Sequence, residues 1–253
     1  MFNWKSIDTV YLYDGSLEGL FTIIFDCYVS KEIPSTITTE SAYLNSLFED
    51  PVFIKTDYTK SSRIFHGITK NISDEALYNA SYAFLSCQSG KEMAILQYIL
   101  NGFIIGPKIN TMLSIDYVFE VFRLRKNVFG ESHRLKGLVR FMEISHNLFY
   151  SSIHPDNHVI EHVGNHFIRR FPTQNFILHD KNRNIAMLYN QRDYCIIDTP
   201  ASLQITQFSE EEKKFQSLWK TFFQTIAIKE RTNPRLQMQY MPKKYWQDLV
   251  EMK

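Results

Sequence analysis

Cysteine is scarce in this chain: Cys27, Cys87 and Cys195 are the only three among 253 residues. An odd number of well-separated thiols, each with mostly apolar neighbours, excludes a disulfide framework and predicts buried free thiols in a cytoplasmic protein. Also missing is any apolar run long enough to cross a membrane. The first residues, Met1 to Asp8, carry an acid and lack the basic patch and apolar stretch of a secretory signal. There is no internal repeat, no low-complexity linker and no complete catalytic motif. One strand, turn and helix opening, at Asp14-Gly15-Ser16, offers backbone amides of the kind that cradle phosphate, but its single glycine lacks the spacing of a nucleotide loop. No cofactor is assigned.

What is present is apolar and aromatic. A hydrophobic fraction of 44% with 20 Phe and 14 Tyr excludes disorder and supplies a core for one large domain or two small ones. The net charge of +1 hides an uneven distribution. Residues 1–60 hold nine acids against four bases, whereas 213–253 hold nine bases against three acids. Between them, Arg123, Arg125, Lys126, Arg134, Lys136 and Arg140 stand against Glu131 alone. Cations gathered this way suit a phosphate-bearing partner such as nucleic acid. Solvated helix faces produce the same pattern, so charge alone does not decide.

Periodicity divides the chain. Val10 to Tyr13 alternates as a strand, and Leu17 to Val29 follows as a helix. Residues 31–60 read as irregular, with one strand near Val52 to Ile54. Three helices follow between 73 and 130: one opened by Ser73, one from Lys91 to Asn101 ending at Gly102, and one opened by Ser114 and ending at Gly130. In the third, Val118, Val121, Phe122 and Phe129 share a face. From 135 to 199 the period changes to two, with strands at Leu138–Ile144, Leu148–Ile153, Asn175–His179, Ile185–Tyr189 and Tyr194–Ile197. One helix, Val159 to Arg170, interrupts them before Pro172. Short links rich in Asn and Asp predict a largely antiparallel sheet. A capping box at Ser209 and Glu212 then opens a helix whose core face is Phe215, Leu218, Trp219, Phe222, Phe223 and Ile226. The expected architecture is α+β: a helical region over 1–130, then an antiparallel sheet with a long helix and a basic aromatic tail over 131–253.

The residues that carry chemistry cluster in the second half. The segment from Glu131 to Phe141 gathers His133, Arg134, Lys136 and Arg140 at what reads as the approach to a strand. His133 has the intrinsic pKa of a general acid or base, with Arg134 or Arg140 to hold a phosphate, or it caps an element end. His154, His158, His162 and His166 recur every four residues, and the last three could share a helix face as metal ligands. Four-residue steps drift about 40° each around a helix, which spreads such ligands apart. The other reading makes His166 the one buried or functional histidine, with His158 and His162 exposed. Arg169 with Arg170, and Asp180 with Arg183, are either ligand contacts or surface ion pairs. In the tail, Lys243 and Lys244 could meet backbone phosphates while Tyr245 or Trp246 stacks on an unpaired base. The alternative is that Tyr245 and Trp246 dock the tail onto the core.

Several of these stretches together resemble a known family. They are the opening Tyr11-Leu-Tyr-Asp-Gly-Ser-Leu-Glu-Gly19, the central His133-Arg-Leu-Lys-Gly-Leu-Val-Arg-Phe141, His166-Phe-Ile-Arg-Arg-Phe-Pro172, Ile228 to Gln237, and Met241-Pro-Lys-Lys-Tyr-Trp246. The chain is similar, end to end, to the bacterial domain of unknown function 4130 family. That family is described as a putative DNA metabolism protein accompanying a radical SAM protein, with some members fused to a domain similar to uracil-DNA glycosylases. The resemblance implies a role in DNA repair or modification and marks His166 as part of a family-like motif. The chain lacks the Cys-x-x-x-Cys-x-x-Cys that holds a radical SAM cluster, so such chemistry belongs to a separate partner. The expected function is a cytoplasmic DNA-associated accessory protein. Its rivals are an enzyme acting on nucleic acid through His133 or a histidine-bound metal, and a non-catalytic protein-interaction subunit.

Overall fold

A computed structural model describes residues 4–44, 50–203 and 208–252. The class is α+β, and the chain divides into two compact units, Met1–Val128 and Phe129–Lys253.

In the N-terminal unit, β1 (Lys5–Tyr13) turns through Gly15, whose φ of +80° suits glycine, into α1 (Leu17–Ser30). Ser16 caps that helix, its hydroxyl accepting the Gly19 N–H at 2.9 Å. The chain then returns as β2 (Glu32–Thr39), parallel to β1, and later as the short β3 (Val52–Phe53) on the other side of β1. The sheet order is thus β2-β1-β3, all parallel. This corrects the irregular reading of 31–60. Only Pro34 and Ile37 are buried in β2, so its sequence alternates too little to announce a strand. Three helices complete the unit's core: α2 (Tyr58–Asn71), α3 (Asp74–Phe84) and α4 (Lys91–Ile105). α2 was also missed, although Asp57 caps it by accepting the Thr59 and Lys60 amides. The core joins Leu20, Ile23 and Ile24 to Ile64, Ile68, Ile95 and Ile99. α4 runs past Gly102 because that glycine is buried against Ile72, not used as a stop.

Helix α5 (Asp116–Leu138) likewise passes its expected end at Gly130. Val121, Leu124, Val128, Glu131 and Leu135 are all buried, and their 3-4 spacing continues one helical face through the glycine. The segment expected to approach a strand is therefore helical, and Phe129, expected on the apolar face, is 53% exposed.

The C-terminal unit holds a five-stranded sheet in the order β4-β5-β6-β7-β8, formed by Met142–Ser145, Leu148–Ile153, Asn175–Asp180, Ile185–Tyr189 and Tyr194–Asp198. Three of its pairings are antiparallel, as the hairpin chemistry predicts. At one turn Asp180 accepts the Asn182 and Arg183 amides; at another Asn190 accepts those of Arg192 and Asp193. The exception is β5 with β6, which run parallel and are joined by α6 (Ile160–Arg170). α6 lays Ile160, Val163 and Phe167 onto the unit's core, and Phe141 meets both Phe167 and Phe176 at centroid distances of 5.1 Å.

Gly164 makes this close approach possible: a Cβ there would lie 2.0 Å from Sδ of the fully buried Met187. Gly164→Ala is expected to destabilise the unit by about 1–3 kcal/mol, the cost of overpacking a filled core. Chemical denaturation checks this, and adding Met187→Ala should recover part of the loss by opening the space.

Helix α7 (Glu210–Ile226) overturns an expectation. Ser209 caps it by accepting the Glu212 amide, while Glu212 accepts the Glu143 amide and so ties the first turn to β4. Yet the stripe expected in the core is open. Phe215, Leu218, Phe222 and Ile226 are each more than half exposed, beside a groove of about 740 Å³. Helical periodicity reports that one face is apolar, not that anything covers it. α8 (Pro234–Tyr240) and two 3₁₀ turns, Lys243–Asp248 and Val250–Met252, end the described chain. No disulfide joins the three cysteines among the described residues, and only Cys27 is buried; Cys87 and Cys195 are exposed. No helix among the described residues is long and apolar enough to cross a membrane.

Candidate nucleic-acid interface

Two helix ends in the C-terminal unit bring cations together. Lys136 occupies the last turn of α5, and Arg169 and Arg170 the last turn of α6, where the negative end of a helix favours positive charge. Their fields meet at His166. Its imidazole pKa is held below the ordinary value, first by partial burial and then by Lys136, Arg170 and Arg169. Burial also lowers the neighbouring His162, with Lys136 and His158 acting in the same direction. Arg134 is exposed two residues before Lys136 on the same helix, which turns it towards another face. Among the described residues, the ion pairs of this unit engage Arg140, His154, Arg183, Lys213 and Lys244, leaving Arg134, Lys136, Arg169 and Arg170 without a carboxylate partner.

Other residues singled out from the sequence sit elsewhere and do different work. Arg140 donates to Glu251 at 2.7 Å and lies over the Trp219 ring at 6.0 Å, so its guanidinium anchors the chain end. Lys244 donates to Glu131 at 2.8 Å and pairs with Asp156. Tyr245 is 1% exposed and donates its hydroxyl to Glu131 at 2.7 Å, so it cannot stack on a base as the chain stands. Trp246 is half-buried and donates its indole N–H to the Met241 carbonyl, while Lys243 is exposed near its ring. For Tyr245 the docking alternative is the one observed.

Glu131 holds this arrangement together. It is the single acid in the basic stretch, it is 2% exposed, and it accepts from Lys244, Tyr245, the Asp156 and Asn157 amides and the Asn157 side chain. Burial alone would raise its pKa, but these donors outweigh it and bring the carboxyl down to about 2. Burial would lower Lys244, but the carboxylates of Asp156 and Glu131 outweigh it and raise the ammonium above its ordinary value. The cluster 123–140 thus contains a buried anion whose role the surrounding positive charge concealed.

His133 is exposed and stacks on Phe129, with ring planes 12° apart and no carboxylate partner among the described residues. His158, His162 and His166 are not gathered for a metal: no group of three or more His, Cys, Asp or Glu suited to an ion occurs among the described residues. His158 lies ahead of α6, which begins at Ile160.

The best-oriented histidine was not a candidate. His154, just past β5, meets both carboxylate oxygens of Asp248 through Nδ1, at 2.9 and 3.1 Å, and Ser152 donates to the same carboxylate at 2.7 Å. An acid on one ring nitrogen fixes the tautomer and leaves Nε2 for proton transfer. Beside it, His179 is buried between the Tyr150 hydroxyl at Nδ1 and the Thr199 hydroxyl at Nε2. Ninety-four positions separate His154 from Asp248, so no local spacing could have linked them.

The family described as Domain of unknown function (DUF4130) matches residues 89–251, well over half of the chain. The chain belongs to the DUF4130 family. The match covers α4, α5 and the whole sheet of the C-terminal unit, together with the basic face, the Glu131 network and the His154–Asp248 pair. The opening stretch Tyr11 to Gly19 lies outside it. No curated protein and no solved structure matches this DUF4130 chain.

Proposed function

We propose that this protein is a cytoplasmic, DNA-associated accessory protein of repair or modification that holds nucleic acid on Lys136, Arg169 and Arg170, with Arg134 exposed on the same helix as Lys136. One observation carries the contact: cations from two helix ends act together on His166 and have no carboxylate to neutralise them among the described residues. Such a face suits backbone phosphates, which position a strand without reading its sequence. The repair context and a separate radical SAM partner rest on the family resemblance. Binding to labelled single-stranded and duplex DNA across a salt series tests the reading. Affinity should fall with a log–log slope of roughly −0.7 to −0.9 per phosphate neutralised, and the triple variant Lys136→Ala/Arg169→Ala/Arg170→Ala should flatten it by about two to three such contacts. Absence of binding at low salt, or an unchanged slope in the variant, sinks the idea. Arg140 is left intact because removing it would strand Glu251.

A second reading, an enzyme acting on nucleic acid, is favoured by the His154–Asp248 pair and not by His133. Strand cleavage or base release in the same mixtures, lost in His154→Gln and kept in His133→Ala, selects it.

A further inference from the structure

The N-terminal unit contains a cleft that the DNA-binding reading does not use. Its sheet reverses direction at β1: the chain passes from β1 to β2 on one side, then places β3 on the other. In open parallel sheets such a switch point leaves a crevice outside the carboxyl ends of the strands, where ligands bind. Here the crevice is real, a cleft of about 490 Å³ within the range of small-molecule sites. Its wall is made by Tyr13, Thr39 and Phe53, the last residues of β1, β2 and β3, and by Asp14, Glu40 and Ser41 immediately beyond.

The lining says what fits. Phosphate does not: Asp14 stands where a phosphate would meet the start of α1. One of its oxygens accepts both the amide and hydroxyl of Ser16, at 2.9 and 2.6 Å, and the other accepts the Thr56 hydroxyl at 2.7 Å. Ser16 in turn occupies the Gly19 amide. The helix start is therefore satisfied and negatively charged. Tyr13 contributes only its ring, because its hydroxyl donates to the buried Glu92 at 3.2 Å. What remains open is an aromatic face, Phe53, which is 52% exposed, and the exposed carboxylate of Glu40 beside the Thr39 and Ser41 hydroxyls. A carboxylate just after the second strand of a β-α-β unit is where dinucleotide folds accept ribose hydroxyls, and an exposed aromatic ring stacks on any base.

We infer that this cleft is a nucleoside site, in which Phe53 stacks on the base and Glu40 accepts the ribose hydroxyls, with no phosphate at the start of α1. The cleft belongs to the N-terminal unit and the basic face to the C-terminal unit, and failure of the one would leave the other proposal untouched.

Calorimetric titration of the full chain with adenosine, guanosine, cytidine and uridine tests it, alongside the 2′-deoxy and 5′-monophosphate forms of whichever binds. Glu40→Gln and Phe53→Ser are the variants; both side chains are exposed, and a melting curve of each confirms the fold. The expected result is saturable binding of a ribonucleoside that weakens by about tenfold on loss of the 2′-hydroxyl and again in Glu40→Gln, the scale of one charge-assisted hydrogen bond. Phe53→Ser should weaken it comparably, and the monophosphate should bind no better than the nucleoside. The inference is overturned if no nucleoside binds at millimolar concentration, if neither variant changes affinity, or if the 5′-phosphate tightens binding.

Discussion

Glu131→Ala should cost the C-terminal unit about 3–5 kcal/mol, because it takes a buried carboxylate away from the donors that converge on it. In the native chain this carboxylate serves three separate parts of the unit. It sits on α5, accepts the amides of Asp156 and Asn157 in the connection after β5, and accepts from Lys244 and Tyr245 in the 3₁₀ turn Lys243–Asp248. Truncation takes the Glu131 acceptor away from the Tyr245 hydroxyl, 1% exposed, and from the Asn157 amide and side chain, 7% exposed. Each such orphan costs about 1–3 kcal/mol. Lys244→Met should be milder, since Lys244 keeps access to water and Glu131 keeps its other donors. The double variant should lose less than the sum of the two, which is the signature of a direct pair. Trp219 and Trp246 lie in this unit and Trp4 in the other, so the fluorescence change in urea, followed in a Trp4→Phe background, reports its unfolding. A Glu131→Ala variant within about 1 kcal/mol of wild type would mean that the network is not formed.

Much of the fold could be read locally, and the misreadings share a cause. Ser16, Ser73 and Ser209 announced their helices because a cap is decided by a hydroxyl and an amide three residues apart. The turns at Asp180 and Asn190 were legible for the same reason. What failed depended on distant partners. β2 is a strand because β1 pairs with it, while its own Glu-Ile-Pro-Ser-Thr-Ile-Thr-Thr run is hydroxyl-rich and interrupted by Pro34. Gly130 looked like a stop, but the buried residues on either side keep the helix favourable. The apolar stripe of α7 was visible as a stripe, and its exposure was not.

The candidate site shows the same division. Lys136, His166, Arg169 and Arg170 were named from charge and spacing, and the structure brings them together. Lys244 and Tyr245, named on the same grounds, are committed to Glu131. A lone acid among six bases was the available clue, because an unpaired anion in that setting is most stable when the cations and amides close around it. His154 gave no such clue, since its partner Asp248 lies 94 positions on, in the 3₁₀ turn Lys243–Asp248.

Acidification below pH 6.5 should weaken the protein, and His179 is a principal reason. Burial first, then Lys181 and His154, push its imidazole from the ordinary 6.5 down to about 4. A buried neutral histidine makes the folded state the poorer proton acceptor. Above pH 6.5 both states are neutral there and nothing is lost. Between 6.5 and about 4 the unfolded chain binds the proton and the folded chain does not, so stability falls as pH falls, by about 3 kcal/mol in all. Glu131 acts in a separate, lower window. Its carboxylate is stabilising above its ordinary 4.5, and that contribution drains away as pH drops from 4.5 towards 2. His162 and His166 are also depressed and add to the upper window in any variant that retains them. The comparison that isolates His179 is therefore wild type against His179→Gln, which keeps an amide donor and acceptor near Tyr150 and Thr199 but has no proton to bind. Urea midpoints at pH 7, 6, 5 and 4.5 should decline less steeply in the variant, the two curves converging as pH falls. Parallel curves would show that the folded and unfolded states bind the His179 proton alike and that burial does not hold it neutral.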